Sequence, residues 1–541
     1  MTLTEPEIQK LTGHLTRMIS MTNGLSLENT LDLLLSSNMA DSDATSAQAI
    51  ADFQNLLQQF QIGNQPIETL IEHPFSAALT RFFKAFPLPY REEHIHLTGS
   101  LSSDFVLPRI QALVERGLGP QLQQKVDAIY GPGSWPLRSA DDINRLLRLK
   151  SEERFDRYLK ILMLPKLVLI NRKAHRDAAY HMASNLYHNF NVGKIRLKFT
   201  LSRATNDESE KVPGLENLTS EDIALGLYEG FNDFACEQPN FEFILSPCFR
   251  KEPDFFDASR FHSKKDDVLY QVNEILDLID RFPFLQRHLR EVDTVGNERG
   301  FYRKQHFNDL RLGFRKLQYR GFQIRSHHGE TWNVLRHGIQ AVDNAMNIWQ
   351  IDTLEHGLSL GINPNFYFHS LLQRVLRWNA QGLPIRNHQM EYHELRDMHW
   401  NTNFDICEKL LLGQKLNEQE IILFTKAKFH TVLEIERYQH DVLNRMIHKR
   451  VSLISLPSSN YKLTACFNDY KQHPFSWWEK KGLKLGVGTD NYITLDTNFI
   501  KEMLILLFTD PTGLKITKLL MITSGEMRRP FISNLLWKMN S

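Results

Sequence analysis

Hydrophobic and polar positions follow different patterns at the two ends of the chain, and the change occurs near residue 88. Residues 1–87 read as helical. Thr4 and Glu7 have the spacing of a capping box, and Pro6 suits the first turn of a helix, where its missing N–H costs nothing. Pro87-Leu88-Pro89 cannot continue a helix. We expect residues 1–87 to form a helical extension that packs on the main body of the protein.

From Tyr90 onward, short apolar runs alternate with long helical stretches. The clearest strand candidate covers residues 195–201, where apolar side chains alternate with Arg196, Lys198 and Thr200. Further short apolar runs lie at Phe241–Leu245, Gly321–Ile324, Val451–Leu456 and Leu483–Val487. Strands that alternate with helices predict a parallel sheet, and residues 88–541 suit a TIM-type (β/α)8 barrel. An open doubly wound sheet is the alternative, although no G-x-G-x-x-G follows the first strand.

Residues 371–448 are too long for one crossover and predict a helical insertion before the seventh strand. Asn417 and Glu420 have the spacing of a capping box at the start of a long amphipathic helix. Its apolar side chains fall on one stripe, formed by Ile421, Phe424, Val432, Ile435, Val442 and Met446. The stripe either packs on the barrel or forms a subunit interface. A homo-oligomer assembled through this insertion or through the N-terminal extension is therefore an open alternative.

Charge, cysteine content and hydrophobicity argue against several classes of protein. The 541 residues carry a formal net charge of +1 at pH 7, which gives no electrostatic reason to bind nucleic acid. The four cysteines have no C-x-x-C spacing, so we expect neither a disulfide framework nor a cysteine zinc site. The polar N-terminus does not resemble a signal peptide, and no apolar run reaches the ~20 residues that span a bilayer. These features predict a cytoplasmic protein without a membrane partner.

The polar face of the 195–201 strand should point into the barrel. A lone charge buried there would be costly, so each cation needs a partner. We expect Glu242, on the following strand, to pair with Arg196 or Lys198.

Four short motifs carry candidate chemistry, and each follows a strand candidate. His94 and His96 lie two residues apart, so both side chains face the same side of a strand and are able to share one cation. The others are Ser326-His327-His328-Gly329-Glu330, Leu354-Glu355-His356-Gly357 and Gly486-Val487-Gly488-Thr489-Asp490-Asn491. Each motif alone is more often structural than catalytic. Together they meet at the carboxyl ends of the strands, which is the face where barrel enzymes place their chemistry.

These motifs resemble those of the adenosine deaminases, a family of metal-dependent amidohydrolases. The resemblance covers residues 88–541 apart from the insertion. The matching segments are His94-Ile95-His96-Leu97-Thr98-Gly99-Ser100, Glu291-Val292-Asp293-Thr294-Val295-Gly296-Asn297-Glu298, His327-His328-Gly329-Glu330, His356-Gly357, Leu456-Pro457-Ser458-Ser459-Asn460, His473-Pro474 and Thr489-Asp490.

The resemblance implies a ligand set and a mechanism. The metal ligands would be His94, His96, His327 and Asp490, holding one Zn²⁺ per chain, although such a set also suits Fe²⁺, Ni²⁺ or Mn²⁺. His356 would orient and deprotonate the attacking water. Glu330 would protonate the ring nitrogen beside the amino-bearing carbon, and ammonia would leave. The backbone N–H of Gly296 would contact the purine edge. The expected partner is a purine nucleoside or nucleotide.

Two departures from the family pattern bear on the substrate. Thr98 stands where adenosine-specific members carry an acidic residue that faces the sugar, and threonine would not repel a 5′-phosphate. Arg250 and Lys251 follow the third strand and would add positive charge near the mouth of the same site. The expected substrates therefore include AMP and dAMP as well as adenosine and deoxyadenosine. Asn491 replaces an aspartate that contacts a purine ring nitrogen, and its amide is still able to donate.

Two other functions remain open from the sequence alone. One is a deaminase-like oligomeric scaffold. The other is a metal-dependent amidohydrolase that acts on a different ring.

Overall fold

Eight parallel strands form a single barrel. A computed structural model describes residues 3–22, 24–37, 43–63, 65–150, 153, 155–201, 218–464, 466–467 and 469–539. The strands pair in chain order, each with the next. They are β1 Tyr90–His96, β2 Val192–Phe199, β3 Glu242–Arg250, β4 Glu291–Val295, β5 Gln323–His328, β6 Thr353–His356, β7 Ser452–Ser455 and β8 Leu485–Val487.

The barrel closes at Asp490, directly after β8. The backbone N–H of His96 donates to the Asp490 carbonyl at 2.8 Å, and the Asp490 N–H donates to the His94 carbonyl at 2.9 Å. Ile95 and Asp490 form the matching parallel bridge. The predicted TIM-type (β/α)8 barrel is confirmed, and its closing seam lies beside the two histidines of β1.

The strand boundaries differ from the predicted ones at the ends that carry polar side chains. β5 runs through His328, whereas the apolar pattern predicts a strand that stops at Ile324. β3 extends to Arg250, beyond the predicted end at Leu245. Inward-facing polar residues break the apolar pattern without breaking the strand, because the barrel interior supplies partners for them. His327 therefore lies on a strand, where its position is fixed by the sheet.

Helices surround the barrel and fill the connections between its strands. Those outside the N-terminal extension and the insertion are Ser103–Leu113, Gly119–Tyr130, Ala140–Leu147, Phe155–Ile161, Met163–Lys166, Arg172–Phe190, Ser220–Glu237, Lys264–Arg281, Lys304–Tyr319, Leu335–Asn344, Pro457–Leu463, Phe475–Lys480, Phe499–Thr509, Ile516–Ser524 and Arg529–Lys538. Among the described residues, no helix has the length and the apolar character needed to cross a membrane.

The N-terminal residues form helices that pack on the barrel's outer layer. Their bounds are Glu5–Met21, Leu27–Ser36, Ala44–Ile62, Glu68–Ile71 and Pro74–Lys84. The first begins with the expected capping box between Thr4 and Glu7. The Phe53 ring lies 5.5 Å from the Phe508 ring, and the Gln61 amide donates to the Phe508 carbonyl at 2.8 Å. The extension thus shares one continuous apolar core with the barrel.

The connection from β6 to β7 is entirely helical apart from its turns. It contains the helices Pro364–Ala380, Met390–Asp397, Phe404–Leu411 and Glu418–His448, so it begins before residue 371. The long helix starts with the expected capping box of Asn417 and Glu420. The stripe residues Phe424, Val432, Ile435, Val442 and Met446 are buried. They pack within the chain, against helices Leu335–Asn344 and Pro364–Ala380, so this stripe is not a free interface.

Arg196 and Lys198 of β2 point into the barrel and find partners there. Arg196 donates to Glu93 at 2.6 Å, and Lys198 donates to Glu355 at 3.0 Å. The predicted pairing with Glu242 is wrong. Glu242 is the first residue of β3, at the open N-terminal edge of the barrel, and its exposed carboxylate pairs with Lys194 at 3.2 Å.

Candidate metal centre and active site

Four side chains from three parts of the barrel converge at the carboxyl end of the strands. His94 and His96 come from β1, His327 from β5, and Asp490 from the turn after β8. The His96 Nε2 lies 3.1 Å from the His94 Nε2 and 3.3 Å from the His327 Nε2. The Asp490 Oδ1 lies 3.5 Å from the His96 Nε2 and 3.9 Å from the His94 Nε2. The next residue, His328, points outward and packs against Phe307 and Trp349.

The hydrogen bonds behind these rings fix their tautomers. The His94 Nδ1 lies 2.8 Å from Glu355, and the His327 Nδ1 lies 3.1 Å from Asp293. Because a carboxylate only accepts, each Nδ1 carries the proton and each Nε2 presents a lone pair to the centre of the cluster. Burial holds the pKa of His94 and His327 well below the ordinary value, and it lowers that of His96 to about 3. The rings are therefore neutral at physiological pH.

This arrangement fits a divalent cation. Lone pairs that face each other at such short range repel unless a cation lies between them. Nitrogens held about 2.0–2.1 Å from one tetrahedral Zn²⁺ lie about 3.3–3.4 Å apart, close to the 3.1 and 3.3 Å observed. Carboxylates behind the ligating histidines are also what a metal site requires. The cluster of His94, His96 and His327 is accordingly a candidate metal site, with Asp490 adjoining it.

His356, the last residue of β6, is placed as a proton acceptor. Its Nδ1 donates to the Asn460 Oδ1 at 2.9 Å, so its Nε2 is left with a lone pair. That Nε2 is buried and has no hydrogen-bond partner among the described protein atoms. His356 and Asp490 both have a φ of 66°, a backbone conformation that non-glycine residues seldom adopt. Strain of this kind concentrates at functional sites.

Glu330 lies opposite His356, with its Oε1 3.8 Å from the His356 Nε2. Burial, together with the nearby Glu298 carboxylate, raises the pKa of Glu330 to about 8. Glu298 also fixes the turn that carries Glu330, because it accepts the N–H groups of Gly329, Glu330 and Thr331 at 3.1, 2.6 and 2.6 Å. Glu330 is therefore a carboxylic acid at neutral pH and is held in a fixed position.

Tyr158 reaches the cluster from helix Phe155–Ile161. Its hydroxyl donates to the Asp490 Oδ1 at 3.1 Å and accepts from the Asn491 amide. Asn491 is fully buried behind Tyr158, next to Gly99, where an added Cβ would lie 1.5 Å from the Asn491 Oδ1. The structure thus places Tyr158 on the cavity wall and Asn491 behind it.

A cavity of about 800 Å³ opens onto the cluster. This volume lies within the roughly 300–1,000 Å³ range of small-molecule sites. His96, His327, Asp490 and Glu330 line its deep end, together with the predicted Thr98 and Gly296. Gly296 has a φ of 106°, and an added Cβ would lie 2.2 Å from the Glu252 carboxylate, so only glycine fits there.

The two cations predicted at the mouth are placed differently. Arg250 lines the cavity, but its guanidinium is paired with Glu252 at 2.6 Å and stacks over the Phe255 ring. Lys251 does not reach the mouth, contrary to the prediction. It is fully buried, donates to the His327 carbonyl and lies 3.7 Å from Glu298. Lys251 follows the last residue of β3, and its side chain turns away from the cavity to the His327 carbonyl.

Three supporting residues have no role in the sequence prediction. Lys198 and Glu355 link the clustered histidines to the barrel interior, and Tyr158 links Asp490 to a distant helix. The period-two pattern places Lys198 on the inward face of its strand and gives it no role in the site. For Tyr158 no sequence signal exists, because its helix lies in a long connection without a matching motif.

Comparison with known proteins gives likeness in structure only. No family model and no curated protein sequence matches the chain. Adenine deaminase from Arthrobacter aurescens is 12% identical and covers 84% of this chain and 99% of its own, with a TM-score of 0.48. An N6-methyl-AMP deaminase from Arabidopsis thaliana is 12% identical, with coverages of 85% and 98% and a TM-score of 0.48. A zinc-bound amidohydrolase from Burkholderia ambifaria is 15% identical, with coverages of 85% and 94% and a TM-score of 0.45.

Proposed function

We propose that this chain is a metal-dependent hydrolytic deaminase of the adenosine deaminase family. Its substrate is an adenine ring carried by a nucleoside or a 5′-nucleotide, and its products are the inosine form and ammonia. The observation that carries the proposal is a cluster of three neutral histidines, Asp490, an unprotonated His356 Nε2 and a protonated Glu330, of which His96, His327, Asp490 and Glu330 line one cavity. The motifs that resemble the adenosine deaminases supply these same side chains.

His94, His96, His327 and Asp490 would hold the metal, for which we propose Zn²⁺. A divalent cation at this position acts as a Lewis acid and lowers the pKa of water from 15.7 to about 7. Glu355 and Asp293 keep the His94 and His327 lone pairs aimed at the cation site by accepting their Nδ1 protons. Lys198 links the two carboxylates and holds both in place.

His356 and Glu330 would move the protons. The His356 Nε2 accepts a proton from the attacking water, and Asn460 keeps that nitrogen free by binding the opposite side of the ring. Glu330 donates its proton to the ring nitrogen beside the amino-bearing carbon, which makes that carbon electrophilic. A pKa of about 8 keeps Glu330 in the acid form at neutral pH.

The cavity wall would orient the ring. Gly296 has no side chain to block the approach of a ligand to its backbone. Its N–H is therefore able to donate a hydrogen bond to the edge of the purine ring. Thr98 lies on the same wall and is uncharged. Asn491 would contribute indirectly. Its amide donates to the Tyr158 hydroxyl, and Tyr158 lines the cavity in which the ring would lie.

An ammonia-release screen tests the proposal. Adenine, adenosine, deoxyadenosine, AMP and dAMP are each incubated with the purified full chain, whose metal content is measured in parallel. We expect ammonia from at least one nucleoside or nucleotide, and no activity after the metal is removed by chelation. A metal-free preparation with full activity, or no ammonia from any of the five compounds, would contradict the proposal.

A further inference from the structure

His175 is a buried histidine on the cavity wall that the proposed reaction does not use. Its side chain is 4% exposed, and it lines the same cavity as His96, His327 and Glu330. It lies in the first turns of helix Arg172–Phe190, in the connection between β1 and β2. Within the described part of the chain, the other two histidines that line this cavity belong to the metal cluster. The position of His175 therefore needs an explanation of its own.

The helix places His175 level with the carboxyl end of β2. Only Asn191 separates Phe190, the last helical residue, from Val192, the first residue of the strand. The helix packs on the strand, so the two run in opposite directions. From Phe190 back to His175 the helix rises about 22 Å, at 1.5 Å per residue. From Val192 to Phe199 the strand rises about 23 Å, at about 3.3 Å per residue. His175 thus lies beside the strand ends that carry the metal cluster.

Two contacts limit the directions that the His175 ring is able to take. Its Nδ1 lies 2.9 Å from the Asn171 carbonyl oxygen, and because a carbonyl only accepts, this nitrogen carries the proton. Helix Ser220–Glu237 packs closely against the same turn. A Cβ added at Gly226 would lie 2.9 Å from the His175 Cβ and 2.4 Å from the Arg172 carbonyl oxygen, so this close approach requires glycine.

The other ring nitrogen, Nε2, is a hydrogen-bond acceptor that has no partner among the described residues. Burial lowers the pKa of His175 to about 4, so the ring is neutral at pH 7 and Nε2 keeps its lone pair. Because Nδ1 is turned toward its own helix, Nε2 is the polar atom that the ring offers to the cavity. An acceptor that is buried without a donor is unfavourable, so a ligand that supplies the donor is stabilised.

The segments that flank His175 give the cavity an apolar wall. Leu169, which precedes its helix, lines the cavity together with Leu218 and Ile223, which lie at and before the start of the neighbouring helix. Apolar side chains offer no competing hydrogen bond. One acceptor among them therefore selects for a ligand that places a donor opposite it.

We propose that the His175 Nε2 accepts a hydrogen bond from a hydroxyl group on the sugar of the substrate, an inference that rests on the proposed deaminase function. Glu330 would hold the adenine ring at the metal end, so the attached sugar extends along the cavity away from the cluster. The sugar hydroxyls are the donors that a nucleoside carries outside its base. His175 thus favours a nucleoside or nucleotide over free adenine, and a sugar with the bound hydroxyl over one without it.

The test compares adenosine with 2′-deoxyadenosine, 3′-deoxyadenosine and 5′-deoxyadenosine, each of which lacks one hydroxyl. For every compound, kcat/KM is measured with the wild type, His175→Phe and His175→Gln. Phenylalanine keeps a planar ring and removes the acceptor, whereas the glutamine amide oxygen is still able to accept. His288→Phe is the matched control, because the His288 Nδ1 also bonds a backbone carbonyl, that of Phe243 at 3.1 Å, and His288 does not line the cavity.

We expect the wild-type kcat/KM to be about 5- to 150-fold higher for adenosine than for one of the three analogues, because loss of the hydroxyl leaves the buried acceptor unpaired. In His175→Phe, kcat/KM for adenosine should fall to the value for that analogue, whose own value should change little. His175→Gln should restore part of the preference, and His288→Phe should keep all of it. The analogue that loses its disadvantage in His175→Phe identifies the hydroxyl.

Two results would overturn the inference. One is a wild-type chain that treats all three analogues like adenosine. The other is a His175→Phe variant that keeps the preference, or that lowers kcat/KM equally for all four compounds, as a purely structural role would. Thermal unfolding checks that each variant is folded, and His175→Leu, which removes the same acceptor, is measured in place of a His175→Phe chain that does not fold.

Failure of the deaminase proposal looks different, because no compound would then release ammonia. Calorimetry separates the two cases. It would still report whether the wild type binds adenosine more tightly than each analogue and whether His175→Phe removes the difference.

Discussion

Changing Glu330 to Gln isolates the proposed acid, because the amide keeps the shape of the side chain and cannot give a proton to the ring. At a pKa of about 8, Glu330 is protonated in about nine of ten molecules at pH 7. A positioned general acid contributes about 10²- to 10⁴-fold, equivalent to about 2.7–5.4 kcal/mol of activation free energy. We expect Glu330→Gln to lower kcat by that factor and to leave metal content unchanged.

The pKa of Glu330 also determines the pH above which the activity declines. The side chain is active when protonated and loses its proton as the pH rises through the pKa. Activity of the wild-type chain should therefore decline above about pH 8. The residual activity of Glu330→Gln should show no decline centred there, because the amide does not titrate in that range.

Glu394→Gln is the matched control. Glu394 is equally buried, its pKa is also raised to about 8, and it lies in the insertion, bonded to the Tyr367 hydroxyl and the Leu335 N–H. Both variants are compared with the wild type by ammonia release from pH 6 to 9, metal analysis and thermal unfolding. A Glu330→Gln enzyme with wild-type kcat would refute the assignment of the acid. A Glu330→Gln enzyme without bound metal would refute the prediction that Glu330 donates a proton and takes no part in holding the metal.

Further predictions concern the groups around the metal site. Tyr158→Phe removes the donor to Asp490 and should lower kcat about tenfold, roughly the value of one charge-assisted hydrogen bond, while Tm stays nearly constant; steady-state kinetics and calorimetry report both. Glu355→Gln should weaken metal binding about 10- to 100-fold, as measured by competition with a chelator. Gly99→Ala should destabilise the fold by about 1–3 kcal/mol in chemical denaturation, because the added Cβ collides with Asn491. Metal removal should lower Tm, because the ion binds the folded chain alone, and readdition should restore it.

The barrel and the central histidines were predictable from the sequence for a physical reason. Alternation with period two places His94 and His96 on one side of a strand, and the order of strands and helices implies a parallel barrel. The carboxyl ends of all parallel strands lie on one face of the barrel. Because His327, His356 and Asp490 each lie at such an end, they are expected close to His94 and His96. The structure brings these residues together as predicted, and their roles remain proposals.

Contacts between distant segments were not predictable in this way. Glu355 precedes His356 by one residue and points at a histidine of β1, a pairing that no local spacing encodes. The position of Tyr158 depends on how the β1–β2 connection docks on the turn after β8, where the Leu149 N–H also donates to the Thr494 carbonyl at 2.9 Å. The predicted pairing of Glu242 is wrong for a different reason. Alternation with period two gives the face of the strand on which a side chain lies, but not how far along the barrel axis the residue is placed.

The buried charges of the barrel interior supply an independent argument for a divalent cation. Among the described side chains of the histidine cluster and its network that are at most 3% exposed, the cations are Lys198 and Arg325, and the carboxylates are Glu291, Asp293, Glu355 and Asp490. Glu92, which accepts the His94 N–H, is left out of this count because burial raises its pKa to about 8. The neighbouring pair of Arg196 and Glu93 adds no net charge, and neither does the buried pair of Lys251 and Glu298. The described part of this interior network therefore holds two more negative charges than positive ones.

Uncompensated charge in a desolvated interior is strongly unfavourable. Burial raises the pKa of Asp490 to about 6, which reflects the cost of a desolvated carboxylate at this position. Two positive charges placed between Asp490 and the histidine lone pairs remove the imbalance at the point where the nitrogens already converge. The charge of the surrounding network and the convergence of the histidine nitrogens thus both favour a divalent cation. A monovalent cation would leave one negative charge uncompensated, so Na⁺ or K⁺ should not restore the Tm of the metal-free chain.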